Sequence, residues 1–159
     1  MAIVQVGLLM VHIQRQAKRG RVVKKNCDST ARDPSERIVI MPHFQIQTNL
    51  PRSKIPQDFV YKSVPILAKI LDKPVELCVV SVVPDLIMSF AGTTEPFAIS
   101  SLLSIGHLGV EENKKHSKAL SELVEKELGI PANRMYIQFQ DEKKANVGYQ
   151  GTTFETIWK

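Results

Sequence analysis

Cysteine is scarce in this 159-residue chain, which contains only Cys27 and Cys78. Two cysteines are too few for a disulfide framework or for a zinc site built on thiolates. Because Cys78 lies inside the apolar run 77–80, we expect it to be a small buried hydrophobic residue.

Long apolar runs and the common catalytic motifs are also missing. No stretch approaches the roughly 20 apolar residues that a membrane-spanning helix needs, so we expect no membrane insertion. The histidines lack metal-ligand spacing, and residues 106–109 fit neither common type of phosphate-binding loop. The sequence has no serine-nucleophile motif and no N-glycosylation sequon. We therefore expect neither a metal nor a cofactor.

The net charge of +5 is unevenly distributed. Residues 1–40 hold eight Lys or Arg against three Asp or Glu, whereas residues 41–159 hold thirteen of each. A nucleic-acid-binding domain would be expected to carry its excess charge as a basic face on the folded body. This distribution argues against nucleic acid as a partner of the body. The remaining nucleic-acid hypothesis is salt-dependent binding through the basic leader.

The leader, residues 1–41, ends with a second possible start, Met41. Its apolar part, Met1–Ile13, comes before its basic residues, which is the reverse of a secretory signal. A mitochondrial transit peptide is one alternative, although serine is sparse; an isoform extension or translated upstream sequence is another. We expect disorder over 15–36 and a separate domain over 42–159.

The first half of this domain has the pattern of a β-α-β unit. Residues 43–48 alternate polar and apolar, as a half-buried strand does. Residues 57–71 place apolar side chains on one helical stripe, in which Pro65 should kink the helix or delay its start. The apolar run 76–83 predicts a strand covered on both faces.

The same order recurs in the second half. The sequence predicts a strand over 97–105, a helix over 111–128 that ends at Gly129, a strand over 134–139 and a last short strand over 147–154. Two such units predict an α/β (α+β) fold, with one four-stranded sheet and two helices on one face. We expect oligomerisation, because the uncovered sheet face should be too apolar to remain in water.

A series of short motifs then points to a known family. They are Met41-Pro42, residues 48–51, Lys73-Pro74, 82–85, 89–96, 104–106, 133–137 and 145–148. With these motifs in order and at compatible spacing, the stretch from Pro42 to Phe154 resembles the macrophage migration inhibitory factor and D-dopachrome tautomerase family, and its cytokine-like branch most.

The resemblance implies a homotrimer with three active sites at subunit interfaces. It implies keto-enol tautomerase activity on small keto or enol acids such as phenylpyruvate and on dopachrome derivatives. It also implies a cytokine-like role through a cell-surface receptor. The protein would be cytoplasmic and would also be secreted without a classical signal peptide. A non-catalytic ligand with a vestigial pocket is the alternative reading.

The resemblance also assigns roles to individual residues. Pro42 would be the general base once its nitrogen is a free amine, because a peptide-bonded proline nitrogen has no basic lone pair. Lys73 would lower the pKa of that amine and bind the substrate. Tyr136 would be the third catalytic residue. The remaining substrate-binding positions are Ile105, Gln138, Val147 and Tyr149.

Several positions depart from the family pattern. Gln138 replaces an asparagine, Tyr149 replaces a tryptophan, and Leu77 and Gln140 replace aromatic residues. The pocket should therefore have fewer aromatic walls, which puts the preference for phenyl substrates in question. The family's Cys-x-x-Cys segment is 97–100 here and contains no cysteine, so thiol-disulfide exchange at this place is excluded.

Overall fold

A computed structural model describes residues 41–157, so the predictions made for the leader lie outside the described residues. The main elements, in chain order, are β1 (His43–Thr48), α1 (Phe59–Leu71), β2 (Val79–Val83), β3 (Ala98–Ser104), α2 (Val110–Leu128) and β4 (Met135–Asp141). The chain then forms β5 (Gly148–Tyr149), β6 (Thr152–Thr153) and the one-turn helix α3 (Phe154–Ile157).

The four long strands form one sheet in the order β2-β1-β3-β4. β1 is parallel to β2 and β3 is parallel to β4, as in two β-α-β units, and the antiparallel pair β1–β3 joins the units. This is the predicted fold class. The register places Phe44 opposite both Val80 and Leu102, so these side chains share one face of the sheet.

The core lies between this face and the two long helices. Alternate residues of β1 and β3 are buried, as the period of two requires. Helix α1 contributes Phe59, Leu67 and Leu71, and α2 contributes Leu120 and Val124. Packing of an amphipathic stripe, more than helix propensity, holds such helices in place.

Helix α1 begins at Phe59 and continues through Pro65, so a start delayed by this proline was a wrong prediction. Pro65 is exposed, on the side of the helix away from the core. Its missing N–H leaves the Tyr61 carbonyl without a helical donor, but Tyr61 is 84% exposed, so water can replace the bond. An exposed proline therefore costs the helix less than a buried one would.

Strand boundaries also differ from the sequence prediction, by one or two residues at β3 and β4 and by more at two other places. The run 76–83 begins with a 3-10 turn, Val75–Leu77, and pairing starts at Val79 because its partner β1 starts at His43. The predicted last strand over 147–154 is instead the small hairpin β5–β6 followed by α3. Gln150 and Gly151 both have positive φ, as the two central residues of a type I′ turn do.

The sheet face turned away from the helices is mostly polar. Its central row runs across all four strands as Ser81, Gln45, Ser101 and Gln138, with the remaining positions being His43, Gln47, Val79, Val83, Ile99, Leu103, Tyr136 and Gln140. The expectation of a strongly apolar open face was therefore wrong, because the inward strand positions took most of the large apolar residues. Within residues 41–157, no helix is long and apolar enough to cross a membrane.

Candidate active site

Pro42 is buried at the start of β1. The backbone N–H of Val79 donates to the Pro42 carbonyl over 2.9 Å, which extends the β1–β2 pairing by one bond. The residue is thus held from its carbonyl side. Its nitrogen is bonded to Met41 in the full chain and is an amide there.

Lys73 follows α1 and is directed inward by the turn that ends the helix. Asp72 adopts the left-handed conformation, with φ of 50°, and the Lys73 N–H donates to the Ala68 carbonyl. The Lys73 side chain is 7% exposed, and its Nζ donates to the Ile105 carbonyl over 3.3 Å. Burial lowers the pKa of Lys73 to about 8, against the opposing charges of Asp141 and Asp72. This is a cation that can be neutralised near physiological pH.

A small apolar cluster surrounds this point. Ile105 and Phe154 are its buried members, and Met41 and Val147 pack against them. Tyr149 stacks on Phe154 with ring centroids 5.4 Å apart and planes within 4°. Because Met41 adjoins Pro42 and Ile105 binds Lys73, these residues meet at one end of the sheet, which we call the Pro42 end.

Tyr136 lies at the other end of the sheet, the Tyr136 end. It is 59% exposed and makes edge contacts with Phe90 and Phe97, with centroids 5.6 and 5.9 Å away. Phe90 stacks on Phe97 at 4.5 Å, and the guanidinium carbon of Arg134 lies 5.2 Å from the Phe90 centroid. The Tyr136 ring is therefore supported on aromatic side chains and faces solvent.

The register gives the distance between the two ends. Gln140 is opposite Leu103, which is opposite His43, whereas Tyr136 is four residues earlier on β4. At about 3.3 Å per residue and 4.8 Å between strands, Tyr136 and Pro42 are on the order of 15–20 Å apart. Gln138 lies between them on the open face and is exposed.

Within one protomer, then, the predicted site residues fall into two groups. Pro42, Lys73 and Ile105 come together, with Val147 and Tyr149 in or against the same cluster. Tyr136 and Gln138 are not part of it.

Sequence reasoning did not identify three side chains at or beside the Pro42 end as part of the site. Met41 and Phe154 are members of its apolar cluster, and Asp141 accepts a hydrogen bond from the Gly106 N–H over 2.8 Å. Phe154 was visible as one of several aromatic residues near the end of the domain. Asp141 gave no signal, because its position depends on the register of β3 with β4.

Thiol and metal chemistry have no support at these positions. Ser100 is buried in the sheet core, and Cys78 donates to the Pro74 carbonyl. Burial raises the pKa of the Cys78 thiol to about 11, which disfavours the reactive thiolate. Among residues 41–157, no three His, Cys, Asp or Glu side chains are grouped as metal ligands.

Comparison with known proteins identifies the family. The family model described as Macrophage migration inhibitory factor (MIF) matches residues 41–155, which is most of the chain. The chain belongs to the macrophage migration inhibitory factor family. This family lies within the tautomerase superfamily, whose chemistry is in general that of isomerases. The resemblance read from the sequence motifs is confirmed.

Individual relatives are similar over nearly their whole length. Macrophage migration inhibitory factor of Xenopus laevis is 45% identical over 114 residues, covering 72% of this chain and 99% of the relative. That of Rattus norvegicus is 42% identical with the same coverage. The solved structure of the Trichinella spiralis factor has a TM-score of 0.68 and 38% identity, covering 70% of this chain and 99% of that one.

Proposed function

We propose that this protein is a keto-enol tautomerase in which Pro42, with a free amine, is the general base. The observation that carries the proposal is the Pro42 end itself. There a buried proline follows Met41 of the apolar cluster, and a buried lysine with a pKa of about 8 donates to Ile105 of the same cluster. Membership of the family supports the same chemistry.

The proposed reaction moves one proton from carbon to oxygen. The Pro42 nitrogen takes a proton from the carbon next to the carbonyl of a small keto acid, so a C–H bond breaks and an N–H bond forms. Negative charge then develops on the carbonyl oxygen, and a positive group aimed at that oxygen stabilises it. Returning the proton to the oxygen gives the enol and restores the neutral amine.

Lys73 has two roles in this proposal. Its ammonium attracts the substrate carboxylate or the developing oxyanion, and its charge disfavours protonation of the nearby Pro42 amine. The apolar surroundings from Ile105, Val147 and Phe154 act in the same direction, because they disfavour a charged amine. A secondary amine, which is protonated in water at neutral pH, would thereby be available as a base.

We also propose that the working form is a homotrimer in which the Tyr136 end of one copy faces the Pro42 end of the next. Neither Tyr136, on the order of 15–20 Å away along the sheet, nor Gln138, about 14 Å away, reaches Pro42 within a protomer. The outer edges of β2 and β4 pair with no other strand among residues 41–157, which leaves backbone groups for a neighbour. Light scattering of the protein that begins at Pro42 should give three times the mass of its single chain.

The test of the base compares three proteins. One is translated from Met41 and processed so that it starts at Pro42, the second carries an alanine inserted between Met41 and Pro42, and the third is the 159-residue chain. We expect the first to enolise phenylpyruvate, and the others to be slower by about 10²-fold or more, as for loss of a general base. Intact mass establishes the first residue of each protein.

Circular dichroism and molar mass serve as controls that all three proteins are folded to the same extent. Equal turnover by the 159-residue chain would refute Pro42 as the base, because its nitrogen is then an amide.

The second candidate is a signalling ligand with a vestigial pocket, and the departures at Leu77, Gln138 and Gln140 favour it. This role requires the protein outside the cell, reached without a classical signal peptide. It predicts cell-surface binding that survives Pro42→Gly, together with weak turnover from any start site. Rapid turnover by the protein that begins at Pro42 would contradict a vestigial pocket.

A further inference from the structure

The turn after β3 has an unusual backbone. Gly106 and His107 both adopt left-handed conformations, with φ of 69° and 60°. Glycine does so without strain, but a residue with a side chain does not. Such a residue persists only where its surroundings hold it.

Three side chains hold this turn. The Ser104 hydroxyl donates to the Gly106 carbonyl over 3.0 Å, and the Gly106 N–H donates to Asp141 Oδ1 over 2.8 Å. From helix α2, Nε2 of the buried His116 lies 2.9 Å from the His107 carbonyl oxygen, at hydrogen-bonding distance. The turn is thus fixed from β3, β4 and α2.

Asp141 reaches the turn because of strand register. It is the last residue of β4 and lies opposite Ser104, the last residue of β3. Since β3 and β4 are parallel, the first residue after one strand lies beside the end of the other. The Glu142 N–H donates to the Ser104 carbonyl over 2.8 Å and fixes this alignment.

The turn connects directly to the Pro42 end. Ile105, which precedes the left-handed pair, accepts the hydrogen bond from Lys73 Nζ. Asp141 also favours the Lys73 ammonium more than Asp72 does, and it acts against the effect of burial. One carboxylate therefore acts on both the backbone that receives the lysine and the lysine itself.

We infer that Asp141 is a positioning residue for the proposed tautomerase site: it holds the Ile105–His107 turn through the Gly106 amide and supplies counter-charge to Lys73. The catalytic meaning of this inference rests on the proposed function, but the structural claim does not. In this role Asp141 does not contact the substrate. It acts through Ile105 and Lys73.

Two substitutions separate the two actions. Asp141→Asn retains an oxygen that can accept from Gly106 and removes the charge, whereas Asp141→Ala removes both. Glu142→Gln is the matched control, because it removes a carboxylate one residue further along the chain and keeps the backbone hydrogen bond from Glu142 to Ser104.

The first measurements use the full 159-residue chain and do not require activity. NMR of isotope-labelled lysine follows the titration of Lys73, and amide hydrogen exchange follows Gly106. We expect Asp141→Asn to move the Lys73 titration to lower pH while Gly106 stays protected. Asp141→Ala should lower the titration and also accelerate Gly106 exchange by about tenfold or more, since the amide loses its acceptor. Glu142→Gln should change neither.

Activity is then measured in the same variants of the protein that begins at Pro42. We expect the alkaline fall in kcat/KM to begin at lower pH in Asp141→Asn, with a further loss of kcat in Asp141→Ala. Lack of turnover by the unsubstituted protein would refute the proposed function and leave the two NMR results to decide the role of Asp141. An unchanged Lys73 titration in Asp141→Asn together with unchanged Gly106 exchange in Asp141→Ala would overturn the inference.

Discussion

The two ends of the sheet differ in what they expose. The Pro42 end buries its polar chemistry, with Lys73 only 7% exposed and bonded to a backbone carbonyl. The Tyr136 end presents an aromatic side chain that is 59% exposed. The Pro42 end can perturb the pKa of a base, and the Tyr136 end can contact a ligand. The proposed site therefore needs both ends, and a single protomer does not bring them together.

The most direct test of whether the two ends form one site is to inactivate each end in a different copy of the chain. Lys73→Ala and Tyr136→Ala, each made in the protein that begins at Pro42, should each lower kcat/KM by about 10²-fold through loss of oxyanion and substrate contacts. If the ends meet between copies, trimers mixed at random from equal amounts should restore about a quarter of the sites, since half of the copies supply each intact end.

The measurement is turnover after the two variants are denatured together and refolded. Refolding each variant alone and then mixing the trimers is the control, and it should give no recovery. Absence of recovery in the mixed trimers would show that the ends do not complete one another.

The charge of the Pro42 end should limit activity at high pH. The pKa of Lys73 is about 8, so its ammonium is lost above that pH, and kcat/KM should then fall about tenfold per unit. Lys73→Arg should remove this fall, because a guanidinium stays protonated. The exposed Lys69→Arg is the control and should leave the profile unchanged.

The same group gives a prediction for stability. The pKa of Lys73 is lower in the folded chain than the usual 10.5, so the unfolded chain binds more protons between pH 8 and 10.5. The contribution of Lys73 to the free energy of unfolding should therefore increase with pH across this window. Denaturant titrations at fixed protein concentration should show that Lys73→Met loses this contribution; an unchanged slope would argue against a buried cation.

A smaller effect concerns the turn at the Pro42 end. Gly106→Ala places a side chain at φ of 69°, where a Cβ meets no atom within 4 Å, so the cost is the backbone strain alone, about 1–2 kcal/mol. Gly129→Ala at φ of 68°, at the end of α2, should lower stability equally. Only Gly106→Ala should also lower kcat, since its turn carries Ile105. Equal kcat values in the two variants would show that the conformation of this turn does not affect the site.

The smallest expected effect lies between the two ends. Ser100 is 1% exposed, and its hydroxyl makes no hydrogen bond within the described residues. Ser100→Ala should therefore leave stability unchanged or raise it by up to about 1 kcal/mol, because an unsatisfied hydroxyl is removed. Chemical denaturation measures this change, and kcat/KM should not move. A loss of more than about 1 kcal/mol would show that the hydroxyl has a partner.

Local patterns accounted for most of the fold. The alternation in 43–48 predicted β1 residue for residue, and the stop at Gly129 and Pro131 predicted the end of α2. Errors arose where tertiary context decides. The helix tolerates Pro65 because this position is exposed. The pairing of β2 with β1 starts at Val79 because β1 itself starts at His43, the partner of Val79.

The site was less predictable than the fold. Lys73 alone resembles any lysine after a helix, and only the family motifs distinguished it. Asp141 is 68 residues from Lys73 in sequence, and the β3–β4 register brings it to the turn that carries Ile105. Such a pairing is fixed by the whole sheet, so no local pattern contains it.

The hydrogen bond at Pro42 has a consequence for maturation. The sheet holds this residue through its carbonyl, which accepts from Val79, and a proline nitrogen could never have donated to the sheet. Cutting the chain before Pro42 therefore breaks no sheet hydrogen bond made by this residue. A protein that begins at Pro42 would therefore have a free amine at this position and keep the strand pairing of Pro42, while losing the contact of Met41 with the apolar cluster.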